Sequence, residues 1–465
     1  MTSIMLCCNI TYPSIRVWCR VLPIKKTLLS IALLAGLNGA AHAAVQSSQQ
    51  RIAELESRIK ALEANAEQLK QQTEQAIAAA DAARAAIDEL KNSQVAATEA
   101  SSEAALEPTA SVADANGNAF NPAISIILNG SYQYHSLNPD DYIRAGFAPV
   151  EGAGPETQGL SLGESEFTFS SNIDDKFYGQ ITLAFGDGDI GVEEAYIDTT
   201  SLPNGLSLRG GRFFSNIGYL NSHHAHTDNF FDRPLAYQSF LANQYGDDGV
   251  QLRWVAPTEL FIELGAEVFA GNSYPAAASN GVGTQTLFAH VGGDVGTDNS
   301  WLAGLSVLDA DAVDGEDGFS GDARLYIADA TWKWAPQGNF KEGGITLRGE
   351  YIKEQRDGLY IDPQEPDLTQ IWDGNREGAY VEGIYRFSKR WETGYRFDQL
   401  WADDSGPYAS SFDPYRNSVM LTWRNSEFSL FRLQYSHDKP NEDDTDNAVY
   451  LQFQTSLGAH GAHKF

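Results

Sequence analysis

From Phe120 onward the sequence alternates with a period of two, and it does so in sixteen separate runs. Each run sets apolar residues against small or polar ones over about 8–12 positions, the repeat of a strand with two unlike faces. The runs fall at 123–135, 160–172, 176–185, 191–199, 206–220, 249–256, 260–270, 284–295, 299–308, 324–334, 345–354, 376–387, 391–400, 416–424, 428–437 and 448–457. Their connections alternate as well. Those after even-numbered runs are mostly tight, such as Ile173-Asp174-Asp175, Pro257-Thr258-Glu259, Ser388-Lys389-Arg390 and Asn425-Ser426-Glu427, and only 335–344 is longer. Those after odd-numbered runs are mostly long: 136–159, 221–248, 271–283, 309–323, 355–375, 401–415 and 438–447. A soluble sandwich or propeller has no reason to alternate short with long. A barrel through an outer membrane does, with tight periplasmic turns and long external loops. An even strand count also returns both ends of the barrel to the periplasmic side.

The faces agree. In the last run Val449, Leu451, Phe453 and Leu457 oppose Tyr450, Gln452, Gln454 and Ser456. In 391–400, Trp391, Thr393, Tyr395 and Phe397 oppose Glu392, Gly394, Arg396 and Asp398. Charges on the second face need water, so the inside is expected to be an aqueous lumen rather than a packed core. The 42 Gly, 23 Phe and 20 Tyr against 3 Met suit a large β protein with many turns. The last strand is expected to stop near Leu457, and the terminal Phe465 is the aromatic signal read by outer-membrane assembly machinery. The fold class is all-β transmembrane: a 16-stranded antiparallel outer-membrane β-barrel over 120–465, preceded by an α-helical coiled coil.

Residues 1–43 read as a signal peptide. Lys25-Lys26 precedes an apolar run of about 11 residues, too short to span a bilayer as a helix, and Ala41-His42-Ala43 is a cleavage pattern. Residues 1–20 look superfluous to it, which suggests initiation near Val21. Cleavage removes Cys7, Cys8 and Cys19 and excludes disulfides, thiolate metal sites and thiol nucleophiles from the mature chain. Within 45–92 the chain keeps heptads from Arg51 to Leu90, with Ile52, Ile59, Ala66, Thr73, Ala80 and Ile87 alternating with Leu55, Leu62, Leu69, Ala76, Ala83 and Leu90. Such a stripe cannot bury itself alone and predicts a self-associating periplasmic coiled coil. Residues 93–119 are Ala, Ser, Glu and Asp without period, a flexible acidic linker. The net charge of −30 argues against a nucleic-acid partner.

Four stretches carry a family resemblance: Val192-Glu193-Glu194-Ala195-Tyr196-Ile197-Asp198, Leu208-Arg209-Gly210-Gly211-Arg212-Phe213, Phe231-Asp232-Arg233-Pro234-Leu235-Ala236 and Gly246-Asp247-Asp248-Gly249-Val250-Gln251-Leu252. With them, residues 120–465 resemble the 16-stranded porins of Gram-negative bacteria, most nearly the phosphate-selective porin O/P group. The coiled coil is similar to that of siderophore-porin-like relatives. The resemblance implies a homotrimer in the outer membrane, with the third external loop folded inward to narrow the pore. The chain departs from a phosphate porin in its acidic balance and in having no dense lysine run in that loop.

The third long loop reads Asn221-Ser222-His223-His224-Ala225-His226-Thr227-Asp228-Asn229. Imidazoles beside a carboxylate suit zinc, copper or nickel, so His223, His224, His226 and Asp228 form a candidate metal site. A polar loop facing water is the plainer reading. His460 and His463 form a second, weaker pair. Alternation places Arg209, Glu194, Asp198, Arg253, Glu263, Glu350 and Arg396 on the lumen as constriction candidates, together with Glu164 and Glu166, where their balance would set ion selectivity. Acidic runs at 309–317 and 441–446 could hold Ca²⁺ or Mg²⁺, but no EF-hand spacing is present, and the plainer reading is a solvated face that concentrates cations at the mouth. No phosphate-cradling Gly-x4-Gly-Lys loop is present, and catalysis is poorly supported.

The expected function is therefore passive diffusion of small hydrophilic solutes or ions through a water-filled channel, without enzymatic activity. One rival is an uptake channel specific for zinc or a siderophore-type metal chelate. Another is an envelope tether in which the coil contacts peptidoglycan and the barrel only anchors it.

Overall fold

The computed structural model describes residues 122–458 apart from 187–188, 279–280, 314, 363–368 and 405, together with Lys60. The signal peptide, the heptad segment other than Lys60, the linker, His460, His463 and Phe465 lie outside the described residues.

Sixteen antiparallel strands close into one barrel. They are β1 (Ala123–Tyr134), β2 in two pieces (Gly159–Ser161 and Ser165–Asn172), β3 (Phe177–Gly186), β4 (Asp189–Thr199), β5 (Leu206–Phe214), β6 (Gly246–Val255), β7 (Phe261–Phe269) and β8 (Thr284–Val295). The second half is β9 (Asn299–Ala312), β10 (Phe319–Trp334), β11 (Gly344–Ile361), β12 (Thr369–Arg386), β13 (Trp391–Asp404), β14 (Tyr415–Ser426), β15 (Ser429–Lys439) and β16 (Asp446–Gly458). Closure is made by β1, which pairs with β16 through Tyr132 and Leu451 and with β2 through Ile126 and Phe167.

Two boundaries differ from the sequence expectation. β5 ends at Phe214 and β6 begins at Gly246, so the third loop is 215–245 rather than 221–248. The outer hairpins are also longer than expected. The connections read as 309–323, 355–375 and 401–415 shrink to 313–318, 362–368 and 405–414. Their Asp- and Gly-rich ends look like solvated loop, but the ladder runs on through register pairs such as Asp311 with Asp322 and Leu359 with Ile371, and Arg324 meets Asp309 across it at 2.8 Å.

The two faces part as alternation requires. Leu128, Leu252, Leu305, Val381, Leu433 and Leu451 stand exposed on the outside. Near the short-turn end a row of rings crosses four strands: Trp391, Trp423, Phe431 and Phe453 follow one another at 6.3, 5.7 and 4.6 Å. An apolar band edged by aromatics is the outer surface of a barrel that stands in lipid. Among the described residues no helix is long and apolar enough to cross a membrane; the strands do the crossing.

The inner face corrects one expectation. Part of the lumen is a packed apolar core. Leu308, Leu325, Ile327, Ile352, Tyr380 and Leu400 point inward and bury Leu235, Ala236, Tyr237, Phe240 and Leu241 of the third loop. The apolar side chains of this loop segment need an apolar wall, and β9 to β13 supply it, while its Gln238 and Ser239 accept from Arg144 at 2.7 and 2.8 Å.

Candidate functional site in the barrel lumen

The third loop leaves β5 at Ser215 and turns into the barrel. It contains two 3-10 turns, Leu220–Ser222 and Ala225–Thr227, and a short helix α1 (Leu235–Leu241) whose every residue is buried. The inward turn needs Gly218, at φ +60°, where a Cβ would lie 2.4 Å from Glu350 Oε2 and 2.8 Å from the Tyr237 hydroxyl. Gly218→Ala is therefore expected to cost about 1–3 kcal/mol by overpacking. A lowered urea midpoint with an unchanged strand spectrum checks it.

Charged wall residues pin the loop. Glu350 on β11 accepts four hydrogen bonds: from the Tyr219 amide (2.9 Å), the Leu220 amide (3.1 Å), the Tyr237 hydroxyl (2.8 Å) and the Tyr380 hydroxyl (2.7 Å). Asp398 accepts the Leu235 amide at 3.0 Å and Gln434 accepts the Phe231 amide at 2.7 Å. Arg396 and Arg416 both grip the Asp232 carboxylate. Burial opposes the charged form of Asp232, but the two guanidiniums outweigh it and hold the pKa below the ordinary carboxylate range. Arg432 donates to the carbonyls of Asp228 and Phe230.

These contacts place the constriction candidates. Glu350 and Arg396 are loop anchors, saturated by the loop rather than open to a passing ion. Arg209 meets Asp198 through two hydrogen bonds of 2.8 Å and stacks 3.8 Å over Tyr196. Arg253 lies 3.4 Å from Glu263, which also meets His290 at 3.0 Å. Both are cross-strand wall pairs. Of the acidic external runs, Asp317 is buried on Arg356 and Asp446 lies 2.7 Å from His135, so neither run is wholly a solvated face.

Two spaces remain beside the loop. One, of about 620 Å³, lies toward the short turns and is lined by Asp228, Arg348, Arg386, Glu392, Arg424 and Arg432 among others. The other, of about 560 Å³, lies toward the long loops, where Gln133, His135, Glu156, Glu164, Asp438 and Tyr450 line it. His226 lines both.

At that position the loop meets the β2–β4 wall. His226 Nδ1 is 2.5 Å from Glu166 Oε1. His224 Nδ1 is 3.2 Å from both Glu166 and Glu193, and its Nε2 is 3.0 Å from Glu194. Glu166, His224 and His226 each bring a ligand-type atom within 4.8 Å of the others. Burial opposes charge on His224, but the hydrogen bonds to Glu166, Glu193 and Glu194 win and hold its pKa well above the ordinary histidine range.

Glu193 is the residue that alternation misplaces. Consecutive strand residues face opposite sides, so Glu194 on the lumen implies Glu193 on the lipid. The register with β3 slips there: Thr182 opposes Glu194 while Leu183 opposes Val192. The bulge turns both carboxylates toward His224. Two neighbouring glutamates in a lipid-facing strand were the available signal, since one of them outside would stand in hydrocarbon.

His223 and Asp228 do not join the cluster. His223 Nδ1 meets the Tyr219 carbonyl at 2.7 Å and its ring stacks on Tyr219 at 4.5 Å. Asp228 is bound by Arg233 at 2.7 Å. A stiff loop that turns inward cannot present every histidine of a short run to one point.

The molecule is thus a closed sixteen-stranded membrane barrel with a pinned inward loop. No family model matches its sequence. A protein of Aquifex aeolicus (strain VF5) described as uncharacterized is 28% identical over 340 residues, covering 67% of this chain and 71% of its own length. Among solved structures, the outer membrane channel DcaP of Acinetobacter baumannii aligns at 12% identity over 72% of this chain and 97% of its own, with TM-score 0.47. An anion-selective porin from Comamonas acidovorans aligns at 12% over 72% and 99%, with TM-score 0.48.

Proposed function

We propose that the protein is an outer-membrane channel for passive diffusion of small hydrophilic solutes and ions. The observation that carries this reading is the pair of polar spaces on either side of a pinned inward loop, inside a barrel whose outside is apolar. A barrel serving only as an anchor has no need of charged residues held around residual internal space. The outer space is lined by Glu156, Glu164, Asp232, Asp438 and Asp446 against Arg233 and Arg416, an acidic excess that favours cations. The inner space is lined by Lys333, Arg348, Arg386, Arg424 and Arg432 against Asp228, Asp298, Glu392 and Glu427, so the cation preference is set at the outer space and not along the whole passage. The heptads supply the reason to propose self-association, and the porin resemblance the reason to propose a homotrimer, joined through barrel and coiled coil.

Single-channel recording of the folded protein in a planar bilayer tests this. Discrete steps are expected, with a reversal potential in a salt gradient that favours potassium over chloride. Folded protein that gives no steps would leave the tethering role in its place.

A further inference from the structure

Resting on the channel reading for its consequence but not for its chemistry, we propose that Glu166, His224 and His226 form a transition-metal site, best suited to Zn²⁺, that clasps the third loop to the wall where the two internal spaces meet.

The donor set selects the class of ion. Two imidazoles and one carboxylate are the ligands of zinc and its neighbours, whereas Ca²⁺ and Mg²⁺ take oxygen shells. The ligand atoms already lie within 4.8 Å of one another, so small side-chain shifts suffice, chiefly opening the short Glu166–His226 hydrogen bond as the ion replaces its proton. Ligand atoms at tetrahedral zinc bonds of about 2.1 Å stand about 3.4 Å apart. Here Glu166 lies 2.5 Å from His226 Nδ1 and 3.2 Å from His224 Nδ1, on opposite oxygens of one carboxylate. Glu193, at 3.2 Å from the same His224 nitrogen, is placed to complete the shell or to hold a bound water.

The surroundings supply what a metal-bound imidazole needs. With Nδ1 on the ion, His224 keeps its proton on Nε2, which faces Glu194 at 3.0 Å and would donate to it. This is the carboxylate–histidine–metal relay that fixes the ring and raises its basicity. Glu194 is itself held by the Gln180 amide at 3.2 Å and accepts the Phe214 amide at 3.4 Å. The Phe214 ring packs edge-on to His224 at 5.4 Å. Charge points the same way: the carboxylates of Glu166, Glu193 and Glu194 gather around two imidazoles, and a divalent ion offsets that excess better than protons on the rings alone.

The position gives the site a consequence. The ligands come from two bodies: Glu166 and Glu193 from the β2 and β4 wall, His224 and His226 from the loop. An ion bound across them fixes the loop at the residue that lines both spaces, so a bound Zn²⁺ narrows the passage and slows the current.

Binding is read first, without any current. Co²⁺ is titrated into detergent-folded, full-length protein and followed by its visible absorption, with Zn²⁺ as competitor. One tight equivalent with the intense bands of low-coordinate, nitrogen-containing cobalt is expected. His226→Ala and Glu166→Gln are each expected to weaken it by roughly 100-fold or more, with the unboiled gel mobility of a folded barrel retained. His223→Ala, outside the cluster, is expected to bind as the parent does. Affinity unchanged in either cluster variant, or no tight equivalent in folded parent protein, overturns the proposal. Zn²⁺ is then added to the bilayer, where parent current is expected to fall and His226→Ala current to persist. Protein that binds cobalt as expected but passes no current keeps the site and overturns the channel reading instead. Equal zinc block in parent and His226→Ala overturns the proposed place of the site in the passage.

Discussion

Glu350→Ala is expected to raise single-channel conductance while leaving the barrel folded. One buried carboxylate holds the start of the inward loop through two backbone amides and closes the apolar core through two tyrosine hydroxyls. Hydrogen bonds to a charged acceptor contribute about 1.5–3 kcal/mol each, and the amides of Tyr219 and Leu220 are left without this acceptor when it goes. No strand pairing depends on Glu350, so the wall survives. The second half of the loop keeps its grip through Asp232 on Arg396 and Arg416 and through the Leu235 amide on Asp398. The single change is therefore expected to loosen 215–222, and Glu350→Ala with Asp232→Ala to loosen the loop on both sides of its histidines, with the Asp398, Gln434 and Arg432 contacts remaining. Conductance of a water-filled pore follows its narrowest section, so the double variant is expected to conduct roughly twofold more or better. Glu350→Gln keeps the shape and part of the acceptor, and should fall between. Unchanged conductance in the double variant, with barrel mobility on a gel retained, would show that the obstruction lies elsewhere than the loop.

The barrel was legible because its physics is local. A strand between lipid and water must alternate, and a hairpin between two such strands needs only a few turn residues at the short-turn end. Leu451, Phe453, Gln452 and Tyr450 declare their sides without reference to any other strand. What the loop does was not legible, because it depends on residues far apart in sequence. Nothing near Glu350 marks it as the acceptor for Tyr219, 131 residues away. One hint was present: Leu325-Tyr326-Ile327 and Tyr351-Ile352 are apolar on both faces, and an apolar inner face needs something apolar to cover it. The histidine run drew attention to the right loop, yet its composition could not say which rings would meet. His224 and His226 share one wall, His223 turns onto its own backbone, and Glu193 arrives only through a bulge.

The largest expected loss of stability comes from Arg356 at the outer end of β11. Its guanidinium is almost wholly buried, grips the Asp317 carboxylate, lies 3.1 Å from Glu354 and donates to the Tyr274 hydroxyl at 2.9 Å. It also stands 4.6 Å over the rings of both Phe319 and Trp372. One side chain thus joins β10, β11, β12 and the loops that carry Tyr274 and Asp317. Removing one partner of a buried ion pair costs about 3–5 kcal/mol because the other charge is stranded. The lost ring contacts add about 0.5–2 kcal/mol. Arg356→Met should show this loss as a lower urea midpoint and as faster proteolytic nicking within 313–318. Glu354 keeps a partner in Arg376 at 2.5 Å, so the stranded group is Asp317. Arg356→Met combined with Asp317→Asn removes both charges and is expected to recover more than about 1 kcal/mol of the single variant's loss, within the range of measured couplings between touching residues. A double variant less stable than Arg356→Met alone would mean that Asp317 stabilises through the Phe319 amide it accepts at 3.2 Å rather than through the arginine.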